Sequence, residues 1–469
     1  MIATSHALTR PGKVRRSSRR LEDVAFVSVV TVLLLTMWGP ALLLVNGLFV
    51  PEILAAPLAL YVCWRHPRIA RWIVRCVLSP EGVAGALWLT LVAAIGVGST
   101  GSLIGPYSEW RASLVLLYSF IFMYRSPSEQ CEIWSTRLMW VSFGVLGFDA
   151  LFVGMGILVP GFLGQALPDP AEAAVFGLGR VAVPALNIVV VSYLAARAHR
   201  IGPLSGALVL GGLLSLGGHR VVLAATAISA LFVPLFMVGV VRASRLRGPR
   251  WLRVAMAPVV IVIMVAAFQS APIQNYLQEA RGIQNRLFTH TIDTLTGIKE
   301  GLTSSRSIDY GDEAIRAAYA AYVLTQWPSL LLPHGLGSRE VEGKLGAEFD
   351  VVAARWRVAS QGGNTHDNAV LYAAYHHGLL MTSLLALVFV WLLLHRLRIE
   401  RRLLGRLHVL VAVMGVVLVD MIYPPVPGIN VACIYGLFLG VLFNPGLRPL
   451  PVPPRGRRSD LGRHARRVL

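Results

Sequence analysis

Apolar runs alternating with short basic or Gly/Pro-rich connectors constrain this chain more than any other feature. A bilayer crossing takes about 20 apolar residues. Twelve candidates follow, at about 24–45, 47–64, 83–104, 108–124, 138–158, 181–197, 203–218, 220–241, 253–270, 367–394, 408–423 and 427–444. Inside lipid every backbone polar group must be satisfied within its own segment, so runs of this kind become helices. The fold class expected is therefore an all-α polytopic membrane protein with about 12 transmembrane helices. Composition agrees: 14% of residues are charged, against about 25% in soluble proteins.

One segment departs from the pattern. Residues 271–366 are polar and close to charge-balanced, and the chain re-enters the apolar phase through THDNAVLYAAYHHGLLM (365–381). The expected organisation is a basic tail (1–23), spans one to nine (24–270), a large external loop (271–366), spans ten to twelve (367–444) and a second basic tail (445–469). The loop carries apolar residues at helical spacing over 275–295 and 312–327, which predicts two amphipathic helices lying on the membrane or the bundle top. Asp312 or Gly311 is placed to cap the second, and Trp327–Pro328 to stop it. Gly335–Leu336–Gly337 then predicts a flexible turn.

The net charge of +19 raises the question of nucleic acid. Its distribution answers no. The basic clusters KVRRSSRR, RHPRIARWIVR (65–75), RASRLRGPRWLR (242–253), HRLRIERRLLGR (395–406) and RGRRSDLGRHARR each abut an apolar run. That pattern is the positive-inside signal and also attracts anionic membrane lipids. It places both termini in the cytoplasm and the 271–366 loop outside. Cys63, Cys76, Cys131 and Cys433 lie in or beside apolar runs, so no disulfide framework is expected. The first apolar run is long and lacks a small-residue cleavage site, which reads as a span rather than a signal peptide.

Arginines that break the positive-inside rule carry information. Arg111, Arg180 and Arg220 open the fourth, sixth and eighth spans at their external ends, and Arg316 sits on the second loop helix. For any one of them, snorkelling to headgroups is the bland reading. Four such guanidinium groups in one layer suit bidentate binding of a diphosphate. His366 stands in the same layer, with a side chain suited to take a proton near neutrality, though a surface hydrogen-bonding role is the simpler alternative. Asp367 is placed to orient the imidazole or cap the helix, and Asn368 to bind a sugar hydroxyl. His376 and His377 lie about three turns deeper and are secondary candidates. Asp149, Asn187 and Asp420, within spans, are expected to make interhelical hydrogen bonds. No zinc-protease, paired-carboxylate, phosphate-loop or dinucleotide-binding motif occurs, so neither a metal nor another cofactor is expected.

Over about 200–395 these residues resemble the bacterial O-antigen ligase and Wzy-type polysaccharide polymerase superfamily. The resemblance rests on GGHRVVL (Arg220), on IRAAYAAYVLTQWPSLLLPHGLG (Arg316 to Gly337) and on THDNAVLYAAYHHGLL (His366 to Gly378), in that order. There are departures. Asn368 keeps the family's spacing to Gly378, which puts Asp367 where the histidine belongs and His366 one residue earlier. Val221 follows Arg220 where a glycine is usual, and Met381 replaces a small residue.

The resemblance implies metal-independent glycosyl transfer on the outer face. A glycan on undecaprenyl diphosphate would pass to a hydroxyl of a glycan or lipid acceptor. His366 would serve as base or as an acceptor-positioning group, and Arg220 and Arg316, with Arg111 and Arg180, would hold the diphosphate. Ligases and polymerases share this chemistry. The competing class is a secondary transporter or a flippase of lipid-linked oligosaccharide, which more often shows repeat symmetry and midplane polar sites.

Overall fold

A computed structural model describes residues 67–158 (except 102), 182–215, 220–243, 329–336, 369–422 and 429–447, with single positions between 57 and 65 and the pairs 43–44 and 48–49. The described part is a helix bundle. Its helices are α1 (Pro67–Val77), α2 (Pro80–Thr100), α3 (Ile104–Tyr124), α4 (Ser128–Leu158), α5 (Ala182–Arg197), α6 (Ile201–Ser215), α7 (Arg220–Ala230), α8 (Phe232–Ala243), α9 (Ala369–His377), α10 (Leu379–Ile399), α11 (Leu403–Ile422) and α12 (Ile429–Phe443). Three are long and apolar enough to cross a membrane: α2, the α7–α8 unit over Val221–Val238, and α10.

Local chemistry explains most boundaries. Ser79 caps α2, its Oγ accepting from the Gly82 amide at 3.1 Å, and Pro80 occupies the first turn. Gly101 closes the helix at φ 64, its amide donating to the Val97 carbonyl. The helix therefore runs three residues earlier than the expected span at its start and ends four residues sooner. The basic stretch at 65–75, expected as a connector, is largely the amphipathic helix α1. The span expected at 138–158 is the later part of α4, whose 31 residues begin at Ser128, a length of about 46 Å that overruns an apolar bilayer core.

Two expected spans are broken helices. That at 220–241 divides at Leu231, because Pro234 has no N–H to offer the Ala230 carbonyl. That at 367–394 divides at Gly378, for a reason that belongs to the site. Leu43–Leu44 and Leu48–Phe49, expected within the first two spans, pair antiparallel across an intervening Val45–Asn46–Gly47, a turn-favouring sequence. The two expected loop helices, 275–295 and 312–327, lie outside the described residues.

α5 is the central helix. It packs on α4, α6, α7 and α11, and its residues from Ala185 to Ala196 are buried all round, as an apolar helix without a polar face requires. α12 lies along α3. A Cβ at Gly436 would fall on the Leu116 carbonyl, and one at Gly440 would come within 2.6 Å of Phe120 O and Met123 Cβ. This Gly-x-x-x-Gly stripe lets the two backbones touch.

One end of the bundle is basic. There the C-terminal ends of α3, α5, α10 and α12 converge. The Asn444 amide donates to the Met123 and Ser126 carbonyls at 2.7 and 2.9 Å. Buried Arg396 donates to the Asn444 and Leu447 carbonyls and to Glu400, which also faces Arg197 at 3.6 Å.

Two in-span polar residues depart from expectation. Among the described residues, Asp149 Oδ2 and both amide atoms of Asn187 make no hydrogen bond. Asn187 is flanked along α5 by fully buried Leu186 and Ile188, which are apolar. The side chain of Asp420 is outside the described set. All four cysteines are free, as their placement predicts.

Candidate functional site

The opposite end of the bundle gathers the first turns of α3, the short helix α9 and residues 331–336 of the long polar segment. α3 begins at Ile104 and presents Tyr107, Glu109, Trp110 and Arg111 over little more than two turns. The Arg111 guanidinium lies 5.7 Å from the centroid of the Tyr107 ring, a cation–π distance. Tyr107 and Trp110 have ring centroids 6.1 Å apart, and the Trp110 indole N–H donates to Thr90 Oγ1 on α2. Glu109, 8% exposed, turns inward and accepts the Tyr372 hydroxyl at 2.8 Å.

α9 is nine residues long and carries Tyr372, Tyr375 and His376, all buried. The spacing of four between Tyr372 and His376 stacks them on one side of the helix, with ring centroids 4.3 Å apart. His376 is fully buried, and its Nδ1 stands 2.7 Å from the Gly335 carbonyl. A carbonyl only accepts, so Nδ1 carries a proton and donates it. His376, a secondary candidate from its place in the sequence, is thus tied to backbone.

The tie runs both ways. The last carbonyls of a helix have no partner within it. Here the amides of His334 and Gly335 donate to the Tyr375 and His376 carbonyls at 3.1 and 3.3 Å. The His334 ring stacks on Tyr375 at 4.5 Å and 16°. The Leu336 amide donates to the Val92 carbonyl of α2 at 3.1 Å. Gly335, at φ 95, lies directly on the Gly96 backbone, where a side chain at either position would collide with the other chain. Of the expected flexible turn Gly335–Leu336–Gly337, Gly337 lies outside the described residues, and the first two residues are docked, with Leu336 fully buried. Docking follows from two glycines removing the bulk that would hold the backbones apart.

The same segment explains the break in the tenth expected span. Gly378 has φ 82, and a Cβ there would stand 3.0 Å from Leu331 O, Leu332 C and Pro333 N. The chain at 331–333 crosses where a continuous helix would put side-chain bulk.

Of the residues expected to hold the diphosphate or act on the acceptor, Arg111 is the one whose side chain is described, and it stands at this end. Arg220 opens α7 by its backbone; its side chain lies outside the described residues. So do Arg180, Arg316, His366, Asp367 and Asn368, although α9 begins at Ala369, directly after that last trio. Sequence reasoning missed Glu109, Tyr372 and His334. Glu109 and Tyr372 fell inside the expected spans 108–124 and 367–394, with nothing in the sequence to pair them.

Compared with protein-family models, with curated proteins and with solved structures, the chain matches none.

Proposed function

We propose that this chain is a multi-pass membrane glycosyltransferase of the O-antigen ligase type. It moves a glycan from undecaprenyl diphosphate to an acceptor hydroxyl on the outer face of the bacterial cytoplasmic membrane, with both termini in the cytoplasm. One observation carries the reading. Gly335 and Gly378 belong to two separate pieces of the resemblance motif, and in the fold their segments pack on each other, on α2, and at the end of the bundle where Arg111 stands. Motif pieces distant in sequence that close on one another support a site there.

In this reading the acceptor oxygen attacks the anomeric carbon of the donor sugar. The bond from that carbon to the diphosphate oxygen breaks, and undecaprenyl diphosphate leaves with the electron pair. Arg220 and Arg316, with Arg111 and Arg180, hold the charge that develops on it; their planar forks match phosphate oxygens. His366 takes the acceptor proton, Asp367 fixes the imidazole and Asn368 holds a sugar hydroxyl. A polymerase of repeat units uses the same steps and differs in its acceptor, the growing chain itself.

The test is a deletion strain in which lipid-linked and surface glycans are both measured. Accumulated full-length lipid-linked polymer identifies a ligase, and accumulated single repeat units a polymerase. Unchanged lipid-linked pools and surface glycans overturn glycosyl transfer and turn attention to transport.

A further inference from the structure

α1 is an 11-residue helix, about 16 Å long. That is about half of what a bilayer core of about 30 Å asks of a helix, so α1 does not cross. Its direction is set at a two-residue corner. The Ser79 hydroxyl donates to the Cys76 carbonyl at 2.8 Å. A Cβ at Gly82 would stand 2.6 Å from that oxygen and 2.9 Å from the Val77 carbonyl, so the last turn of α1 lies against the first turn of α2. α1 also packs on α3. The corner is at the basic end, where Arg125 closes α3 and donates to Glu81 of α2.

Around its circumference α1 has three sides. Buried Cys76 and half-buried Ile73 mark the side against the bundle. Val74 is 52% exposed and Val77 is exposed too, with Leu78 beyond them at 68%, an outward apolar side. Arg71 and Arg75, both exposed, are four apart and so stand one above the other on a third side.

We propose that α1 lies in the plane of the leaflet at the basic end, with Val74 and Val77 among its acyl chains and Arg71 and Arg75 on the phosphates of an anionic glycerophospholipid. Charge complementarity points to this occupant. Residues 65–77 hold four arginines and no acid. Among the described residues neither Arg71 nor Arg75 meets a carboxylate, and Glu81, the first acid after them, is taken by Arg125. A soluble acidic partner would meet the arginines and leave Val74 and Leu78 in water. A bilayer surface offers phosphate and acyl chain within a few ångströms of each other, which is what two adjoining sides of one short helix require.

The test uses the full-length chain with two readouts, neither of which needs glycan transfer. The first is position. Nitroxide labels at Val74→Cys and at Arg71→Cys, each with Cys63→Ser, are compared in lipid nanodiscs. The Val74 label should be reached more readily by oxygen, which concentrates among acyl chains, and the Arg71 label by a water-soluble nickel chelate. A Val74 label reached better by the chelate overturns the proposal, because α1 then stands in water or under a soluble partner.

The second is the headgroup. The unfolding temperature of lipid-stripped protein in neutral detergent is followed while phosphatidylglycerol or phosphatidylcholine is added, since a lipid that binds only the folded chain raises it. Phosphatidylglycerol should bind more tightly. Arg71→Gln with Arg75→Gln should weaken it about thirtyfold, the sum for two arginines at a charged surface, and leave phosphatidylcholine unchanged. Arg401→Gln with Arg402→Gln removes two exposed arginines elsewhere at the same end and should cost less than about fivefold. Equal losses in the two pairs overturn the proposal, because the lipid then answers only a diffuse field. So does equal binding of the two lipids by the wild-type chain. Should the Arg71/Arg75 pair fail to insert, the wild-type chain decides. Its preference for phosphatidylglycerol should shrink as salt rises from about 0.05 to about 0.5 M, and a preference indifferent to salt overturns the contact with phosphate.

Discussion

Replacing Arg396 tests the reading of the basic end most severely. The side chain is 0% exposed. Its terminal nitrogens donate to the Asn444 carbonyl at 3.3 Å, the Leu447 carbonyl at 3.1 Å and Glu400 Oε1 at 2.7 Å. Glu400 is 1% exposed, and its other cation, Arg197, is more distant at 3.6 Å. Arg396→Met therefore strips a buried carboxylate of its near partner and two carbonyls of their donor. Breaking one side of a buried pair typically costs about 3–5 kcal/mol. Glu400→Gln keeps an oxygen for the guanidinium and loses only the charge, which places its cost at about 1–2 kcal/mol. The double change Arg396→Met with Glu400→Met removes the unpaired carboxylate, but the Asn444 and Leu447 carbonyls stay without this donor and Arg197 loses Glu400, so it recovers part of the loss. Thermal unfolding of the detergent-solubilised protein, followed by loss of the monodisperse species, measures the series. The expected order is a fall of about 3–5 °C for Arg396→Met, a smaller one for Glu400→Gln and partial recovery in the double variant. A double variant as unstable as the sum of its parts refutes the reasoning, as does an Arg396→Met protein within about 1 kcal/mol of wild type.

Four further outcomes are expected. Reporter fusions near residue 300 and at the C-terminus should give opposite signals; matching signals would remove the outward-arginine argument. Arg220→Lys should lose most transfer activity at normal protein levels, since an ammonium lacks the planar fork, and full activity would mean that Arg220 only snorkels or packs. His366→Ala should lower transfer by about 10²–10⁴-fold and Asp367→Asn by less; a nearly intact His366→Ala beside a dead Asp367→Asn would assign the base to Asp367. Cys76, 3% exposed, has its thiol pushed up to about 11 by burial, with Glu81 adding to the shift and Arg125 opposing it. At pH 8 it is therefore almost wholly protonated and should resist maleimide in the folded protein, reacting at ordinary rates only after unfolding; prompt labelling of native Cys76 would count against its placement.

Much of the helix bundle was legible in the chain itself, because hydropathy and capping are local. Ser79, Pro80 and Gly101 mark the ends of α2 by side-chain and backbone chemistry within a few residues. Pro234 and Gly378 announce the breaks that divide two expected spans, although Gly378 was read only as a motif residue. The Gly436/Gly440 stripe announces a close contact without saying with what. What hydropathy reports is depth in a bilayer, and depth leaves lateral position open. That Glu109 meets Tyr372 across 263 residues, that Gly335 lies on Gly96, or that Arg396 reaches the end of α12 depends on which helices are neighbours. Neighbours are chosen by the summed packing of whole faces, and no stretch of sequence contains that sum. The chain by itself determined its helices, their rough ends and an ionisable motif where a polar segment re-enters an apolar run. Only the tertiary structure brought a carboxylate from α3, a nine-residue helix and the residues 334–336 of that segment together, because only close packing puts groups so far apart in sequence within hydrogen-bonding reach.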